Sequence, residues 1–234
     1  MSKFAWLTGR SPALTEAQLQ RRQNLAPAAP LDERSLQQQR FVVLDLETSG
    51  LHMRRDLVLS IGAVVIENAA IDLSQQFECT LQREGHQASA STLIHGIAPS
   101  EIAKGDEPAE ALLAFMEFVG DSPLLAFHAE FDQRMLARAL KQSLGYRLQH
   151  AFFDVAEIAP LLCPNASVGN AGLDGWTQHF GLQVQQRHHA SADALVTAEL
   201  ALILLSKARQ QGLDSLPRLL QQLNSRRRKL AHSI

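Results

Sequence analysis

The chain has only two cysteines and no long hydrophobic run, and these absences exclude several classes of protein. Cys79 and Cys163 are not spaced as a metal-binding pair, so they predict neither a disulfide framework nor a zinc site, and we expect both to be buried. The longest apolar run, 194–205, contains Glu199 and is too short to cross a bilayer. Residues 1–11 lack the apolar segment of a secretion signal. We therefore expect a soluble cytoplasmic protein with no membrane contact.

A strong net charge is also missing. Lysine and arginine number 22 against 24 aspartate and glutamate residues, which leaves a formal charge of -2. This balance excludes the bulk electrostatic attraction by which proteins with a long footprint bind duplex nucleic acid. Any contact with nucleic acid is expected to be local and short. The 234 residues are 46% hydrophobic, which is enough for one domain with a well-developed core.

The order of the apolar segments predicts an α/β fold. We divide the chain into an N-terminal helical arm at 1–38, a main domain at 39–210, and a C-terminal helix with a basic tail at 211–234. Within the main domain, strands are predicted to begin at Phe41 and to continue with 57–67, 71–81, 123–127 and 151–154. Helices are predicted at 108–119, 130–144, 154–162, 173–180 and 190–209, after a helix in the arm at 15–24. Three strands come first in the chain, and the later strands are each preceded by a helix that crosses over the sheet. This order predicts one mixed five-stranded sheet flanked by helices.

Acidic residues mark the ends of three predicted elements. Asp45 and Glu47 are two residues apart in the first strand and therefore lie on one face of the sheet. Asp132 opens a helix after a second apolar strand, and His188 and Asp193 bracket the start of a third helical stretch. Each signal is weak alone, since an acid at a helix start is favoured by the helix dipole. Together they predict the metal site of a phosphodiester hydrolase.

The chemistry explains why several carboxylates are needed. Hydrolysis of a phosphodiester requires neutralised charge, available hydroxide and a stabilised leaving oxygen, and two divalent ions roughly 4 Å apart supply all three. Mg²⁺ and Mn²⁺ prefer carboxylate and water oxygens. Asp45 is placed to bridge both ions and Glu47 to reach one of them. Asp132 and Asp193 are predicted to join them from the first turns of their helices.

The three segments resemble the motifs of the DEDDh family of 3′-to-5′ exonucleases, which includes the proofreading subunit of bacterial replicative polymerase. The matching segments are 45–51, 128–132 and 188–193, the last with the spacing H-x-A-x-x-D. The resemblance implies a ribonuclease H-like fold, two metal ions, and release of nucleoside 5′-monophosphates from a 3′ end. The second segment departs from the common pattern, since Phe127 and His128 stand where the family often has histidine and asparagine.

The resemblance also assigns roles at the reaction centre. It implies that His188 is the general base, and an imidazole with an ordinary pKa of about 6.5 can accept a proton from water near neutral pH. His189 is an alternative, because it lies four residues before Asp193. Asp154 is interpreted as the cap of the following helix, with metal binding as the alternative. His95 and His128 are interpreted as structural or surface residues.

Substrate contacts follow from the resemblance as well. Thr48, Ser49, Gly50 and Leu51 are expected to surround the terminal nucleotide, and Phe131 is expected near its sugar. Stacking on apolar side chains depends little on base identity, so weak sequence preference is predicted. Four arginines are candidates for contacts with backbone phosphates: Arg54, Arg55, Arg134 and Arg138.

The sequence therefore predicts a metal-dependent 3′-to-5′ exonuclease that acts on single-stranded ends, with DNA preferred over RNA. An exoribonuclease that trims RNA or clears short oligonucleotides is the alternative within this class. A noncatalytic scaffold or binding subunit is the alternative of another class, although all five motif positions are intact. A polymerase or another protein is the expected partner.

Overall fold

The computed structural model describes residues 13–88, 90–169, 171–184 and 187–232, and its centre is a five-stranded sheet. The strands are β1 (Phe41–Thr48), β2 (Val58–Glu67), β3 (Ala70–Thr80), β4 (Leu124–Ala126) and β5 (Phe152–Asp154). They are ordered β3-β2-β1-β4-β5. β1, β2 and β3 pair antiparallel, whereas β4 and β5 run parallel to β1. The predicted mixed five-stranded sheet flanked by helices is confirmed.

Helices surround this sheet. Those in the described ranges are α1 (Glu16–Gln23), α2 (Ala90–His95), α3 (Pro99–Ile102), α4 (Pro108–Val119), α5 (Ala129–Leu144), α6 (Val155–Leu162), α7 (Gly172–Phe180), α8 (Ala190–Gln210) and α9 (Leu216–Ala231). A short 3₁₀ helix precedes β1 at Leu36–Gln38. The predicted helices and strands agree closely with these bounds. The prediction was wrong for the segment before α4, where two short helices, α2 and α3, replace the expected loop.

β1 lies in the middle of the sheet and separates two hydrophobic clusters. Val42 and Leu44 pack into the cluster that α4 and α5 complete. Phe41 and Val43 pack into the second cluster, with residues of α6 and α8. Because alternate residues of a strand share a face, Asp45 and Glu47 continue the face of Phe41 and Val43. The two acids therefore lie on the side of the sheet that α8 covers.

The terminal helices are packed against the main domain. Arg21 of α1 pairs with Glu117 of α4 at 2.8 Å. In α9, Leu216, Leu219 and Leu223 are buried in the second hydrophobic cluster. The basic run 226–229 lies inside α9 and not in a free tail. Residues 1–12 of the predicted arm lie outside the described residues, and the division into three parts stays a prediction.

The two cysteines are on separate elements. Cys79 of β3 is buried, as predicted, whereas Cys163, which follows α6, is only half-buried. Within the described ranges, every helix is too short or too polar to cross a bilayer.

Candidate metal centre and active site

Three carboxylates converge on the face of β1 that α8 covers. Asp45, Glu47 and Asp193 each offer an oxygen, and these oxygens all lie within 4.8 Å of one another. Oxygens bound to a single Mg²⁺ at about 2.1 Å are themselves separated by roughly 3 to 4 Å. The three side chains are therefore close enough to share one small cation. The structure brings together acids that are separated by almost 150 positions in the sequence.

A glycine of β2 allows Asp193 to approach so closely. Gly62 pairs with Asp45 across the sheet. A Cβ atom on Gly62 would lie 2.1 Å from the backbone nitrogen of Ser191 and 2.2 Å from the carbonyl carbon of Ala190. Any side chain at this position would force the first turn of α8 away from the sheet. The absent side chain therefore positions Asp193, four residues into that helix, beside Asp45.

Asp132 enters from the first turn of α5 and is 5% exposed. The backbone N–H of Leu46 donates to its carboxylate, and Asp132 also lies close enough to Asp45 to perturb it electrostatically. The helix begins after His128, whose φ of 63° is left-handed. The fourth predicted acid is thus at the same centre as the other three.

Asp154 holds the beginning of α5 in place. Its Oδ1 accepts hydrogen bonds from the backbone N–H of His128 at 3.0 Å and from that of Ala156 at 2.9 Å. The second bond caps α6, so the predicted capping role of Asp154 is confirmed. The first bond stabilises the left-handed residue before α5. Asp154 therefore links the ends of two helices next to the acidic centre.

The acids raise the pKa values of one another. Burial, followed by the charges of Asp132, Glu47 and Asp193, raises the pKa of Asp45 well above its ordinary range. Burial and Asp193 raise the pKa of Glu47 to about 7. Burial is also the main cause that raises the pKa of Asp132 to about 8. So many carboxylates in one partly buried site retain protons near neutral pH unless cations replace them.

This donor set fits a hard divalent cation. The groups that converge are carboxylate oxygens, and neither cysteine of the chain belongs to the cluster. Oxygen ligands of this kind, with incomplete enclosure that leaves room for water and phosphate, suit Mg²⁺ or Mn²⁺. The raised pKa values show that positive charge at this point is electrostatically favourable. The residues present are therefore compatible with the predicted metal cofactor.

An arginine that the motifs did not predict lies at the same centre. Arg187 donates to Oδ1 of Asp193 through Nη1 and to Oδ1 of Asp174 through Nε, the latter at 2.6 Å. Both oxygens of Asp193 are engaged, since its Oδ2 accepts the backbone N–H of His188 at 2.9 Å. Arg187 carries no motif signal, because an arginine before a histidine in a loop is common in any protein. It supplies positive charge where the acids converge.

The two candidate histidines are placed differently. His188 has a left-handed backbone with φ of 60°, its N–H is anchored on Asp193, and its side chain is exposed. His189 is the N-terminal cap residue of α8, and its ring contacts Ser191 at 3.0 Å and Glu78 at 3.5 Å. The ring of His189 is therefore directed toward β3. Of these two histidines, His189 alone has a ring that makes a hydrogen bond within the described ranges.

The predicted substrate residues lie where β1 ends. Thr48 is buried and donates from Oγ1 to the carbonyl of Gly50 at 2.8 Å. Ser49 donates from Oγ to Asp56 at 3.2 Å. Leu51 is 84% exposed beyond this turn. The turn thus presents one large apolar side chain to solvent at the edge of the acidic centre.

Asp56 was not predicted, although it stabilises this turn. Its Oδ2 accepts the backbone N–H of His52 at 2.7 Å, and a Cβ atom on Gly50 would lie 2.5 Å from the same oxygen. A glycine at position 50 is therefore required for the contact. An aspartate a few residues after a glycine is common in turns, so its sequence carried no specific signal.

The remaining candidate residues have structural positions. Phe131 is half-buried against the first hydrophobic cluster, at the start of α5. His95 is 6% exposed, and its Nδ1 accepts the backbone N–H of Ile97 at 3.1 Å. His128 is exposed, with its ring edge-on to Phe127. The structural and surface interpretations of His95 and His128 agree with these positions.

Comparison with known proteins connects this geometry to a family. Residues 42–201 match the model of a family described as Exonuclease (RNase_T). The DNA polymerase III PolC-type of Listeria welshimeri is 31% identical over 177 residues, which are 75% of this chain and 12% of that protein. The chain thus spans a small part of the length of such relatives.

Two solved structures have the same fold. The crystal structure of E. coli Exonuclease I in complex with a dT13 oligonucleotide has a TM-score of 0.61 at 19% identity, over 74% of this chain and 42% of that chain. Exonuclease X in complex with 5′ overhanging duplex DNA has a TM-score of 0.57 at 19% identity, over 72% of this chain and 92% of that chain.

Proposed function

Because this chain belongs to the exonuclease family, we propose that it shortens single-stranded DNA from the 3′ end and releases nucleoside 5′-monophosphates. The membership confirms the predicted relationship to the DEDDh exonucleases, the ribonuclease H-like fold and the enzyme class of a 3′-to-5′ exonuclease. The observation that carries the proposal is the convergence of the oxygens of Asp45, Glu47 and Asp193 within 4.8 Å.

We assign the metal ligands from the contacts among the acids. When bound, two divalent ions, Mg²⁺ or Mn²⁺, supply charge neutralisation, an acidic water and a stabilised leaving oxygen. Asp45 interacts electrostatically with each of the other three acids, so it would be the central member of the ligand set. Glu47, Asp132 and Asp193 then complete the ligand set from three different elements.

His188 is proposed as the general base. Its backbone N–H is held by Asp193, so its ring is tethered next to the acidic centre while remaining accessible to solvent. A neutral imidazole at this place accepts a proton as water attacks the phosphorus atom. Asp193 thus has two tasks, since its Oδ2 positions His188, while its Oδ1, which accepts from Arg187 in this structure, is the oxygen that would bind a metal ion.

The turn after β1 is proposed to hold the terminal nucleotide. Thr48, Ser49 and Gly50 form a rigid turn through side-chain hydrogen bonds, and Leu51 projects from it. In the proposal, Leu51 packs on the base and Phe131 lies beside the sugar. Apolar contact of this kind recognises a base without reading its edges, so we expect little sequence preference.

DNA is preferred to RNA because of the proteins that this chain resembles. The matched relatives are DNA polymerases, and the structure of Exonuclease I contains a deoxythymidine oligonucleotide. We also propose that the protein acts in the cytoplasm with a polymerase or another protein as partner. RNA trimming and a noncatalytic scaffold role are the outcomes that the experiment below separates from this proposal.

The test uses end-labelled single strands of DNA and RNA with one sequence, incubated with the protein and either Mg²⁺ or Mn²⁺. We expect stepwise loss of 3′ nucleotides, faster on DNA. Asp45→Ala should lower the rate by about 100-fold or more, because charge stabilisation is removed. Asp121→Ala, at an exposed acid away from the centre, is the matched control. Faster loss of 3′ nucleotides from RNA would show that RNA is the preferred substrate. No loss of nucleotides with either metal would indicate the scaffold role.

The base is tested by comparing two neighbouring histidines. His188→Ala should lower kcat by about 10² to 10⁴, because the group that accepts the proton of the attacking water is removed. His189→Ala should change kcat by less than about tenfold, similar to Glu78→Gln, which removes its partner. If His189→Ala alone causes the large loss of kcat, the two roles are reversed.

A further inference from the structure

An open groove begins at the turn after β1 and extends along α5. Its volume is about 520 Å³, and it is lined by Leu51, His52, Met53, Arg54, Arg134 and Arg138. None of these residues is among the acids of the metal centre. The groove therefore continues outward from the place proposed for the terminal nucleotide.

α5 supplies one wall of the groove as a continuous stripe. Phe131, Arg134 and Arg138 are spaced i, i+3 and i+7, so they share one face of the helix. Seven residues of α-helix correspond to about 10 Å along the axis. Asp132 is in the first turn of the same helix. The stripe thus leads from the metal centre to a point about two nucleotides away along an extended strand.

The arginines of this groove are poorly neutralised. Arg54 and Arg138 have no carboxylate partner within the described ranges, and Arg134 pairs with the exposed Glu130 of its own helix. The buried Nε of Arg138 has no hydrogen-bond partner among the residues that the structure describes. A buried donor without a partner is costly. An anion in the groove would offset this cost by neutralising the guanidinium of Arg138 where it lines the groove.

A second guanidinium behind Arg138 increases the demand for negative charge. Arg83 donates from Nε and Nη2 to the carbonyl of Val58, at 3.0 and 2.9 Å, instead of to an acid. Burial and the nearby Arg138 lower the pKa of Arg83 to about 10. The guanidinium groups of Arg83 and Arg138 are close together, and Arg83 bonds to an uncharged carbonyl. Their combined positive charge therefore favours an anion in the groove that Arg138 lines.

The groove also has exposed apolar surface. Leu51 is 84% exposed and Met53 is 36% exposed. The sulfur of Met53 lies 3.9 Å from Nη1 of Arg134. Alternating cationic and apolar groups match a chain of phosphates that carries flat bases, since each nucleotide offers one charge and one apolar face. An acidic peptide would use the cations but not the apolar surface to the same extent.

We propose that this groove binds the nucleotides directly upstream of the 3′-terminal one, with Arg54 and Arg138 on backbone phosphates and Met53 against a base, next to Leu51 on the terminal base. The inference rests on the proposed function, because it assumes that the 3′ end lies at the metal centre. It assigns this protein a preference for substrates several nucleotides long.

The kinetic test compares a deoxythymidine decanucleotide with a dinucleotide that is too short to fill the groove. Arg138→Gln and Arg54→Gln should each raise KM for the decanucleotide about tenfold with kcat within twofold, and the loss on the dinucleotide should be smaller than twofold. The exposed Arg218→Gln on α9 is the control, with no effect on either. Equal losses on the two substrates, or no loss on either, would overturn the inference.

Binding measured without catalysis separates the two proposals. Fluorescence anisotropy of a labelled decanucleotide, with Ca²⁺ in place of Mg²⁺, should give weaker binding for both variants. The slope of log K against log salt should decrease by about 0.7 for each arginine removed. If the parent protein hydrolyses neither substrate but the variants still bind the decanucleotide more weakly, the proposed function is wrong and the assignment of the groove as a binding site for the strand is retained. If the variants bind like the parent, the groove assignment fails. Arg54 is exposed, so its replacement keeps the test valid if Arg138→Gln is unstable.

Discussion

At the scale of single residues, the acidic centre costs the protein stability. Glu47 and Asp132 have pKa values of about 7 and about 8, above their ordinary 4.5 and 3.8. The folded state therefore binds these protons more tightly than the unfolded chain does. Raising the pH through this range removes the protons and weakens the folded state, so metal-free protein should be more stable near pH 5 than at pH 8.

Replacing one acid with its amide should reverse this effect. We expect Asp45→Asn to raise the free energy of unfolding at pH 8 by about 1 to 2 kcal/mol while abolishing activity, because repulsion among the acids falls. Urea denaturation in EDTA at pH 5 and pH 8 measures it. The gain should be smaller at pH 5, where the acids are largely protonated. A gain of equal size at both pH values would show that charge is not the cause.

At the scale of elements, the contact between β2 and α8 determines where Asp193 lies. Gly62→Ala should destabilise the protein by about 1 to 3 kcal/mol and reduce activity, because the added methyl group displaces the first turn of α8. Thermal unfolding and the rate of nucleotide release measure the two effects. Gly85→Ala, in the loop after β3, is the control, since a Cβ there meets no atom within 4 Å and the change strains only the local backbone, whose φ is 69°. If Gly62→Ala leaves the activity unchanged, the position of α8 does not control catalysis.

The same elements explain how much the sequence could predict. β1 is a hydrophobic run that carries two acids two residues apart, and α5 has apolar residues at helical spacing over 16 residues, so the sequence predicts both closely. α2 and α3 have only 6 and 4 residues, which is too short for a period to be visible. Spacing predicted that Asp45, Glu47, Asp132 and Asp193 belong together, and the structure brings these acids to one centre. The ion pair of Arg187, the contact at Gly62 and the groove beside Arg138 depend on tertiary approach, which local pattern does not encode.

At the scale of the whole molecule, charge is separated without being large. The formal charge of -2 predicts that any nucleic-acid contact is local. The acids gather at the end of β1, and three arginines line the adjoining groove. The arginines attract the phosphates of a nucleic-acid strand, and cations held by the acids would attract its 3′ end. These two neighbouring sites together orient the strand. A small net charge is therefore consistent with directed binding.

The terminal helices belong to the folded unit as much as the predicted main domain does. A truncated chain of residues 39–210 loses Leu216, Leu219 and Leu223, whose burial contributes about 1.5 to 3 kcal/mol each. We expect this truncated chain to unfold at lower temperature than the full chain, or to be insoluble. Removing only residues 1–12 serves as the comparison. If residues 39–210 unfold at the same temperature as the full chain, the predicted domain boundaries are also the limits of the stable unit.

Arg187 affects the acidic centre in the metal-free protein. The acids of this centre repel one another when they are ionised. The guanidinium of Arg187 bonds to Asp193 from within the chain and offsets part of this repulsion when no metal ion is bound. The fold therefore carries an internal counter-charge for its own acids, and a metal ion would have to compete with it for Asp193.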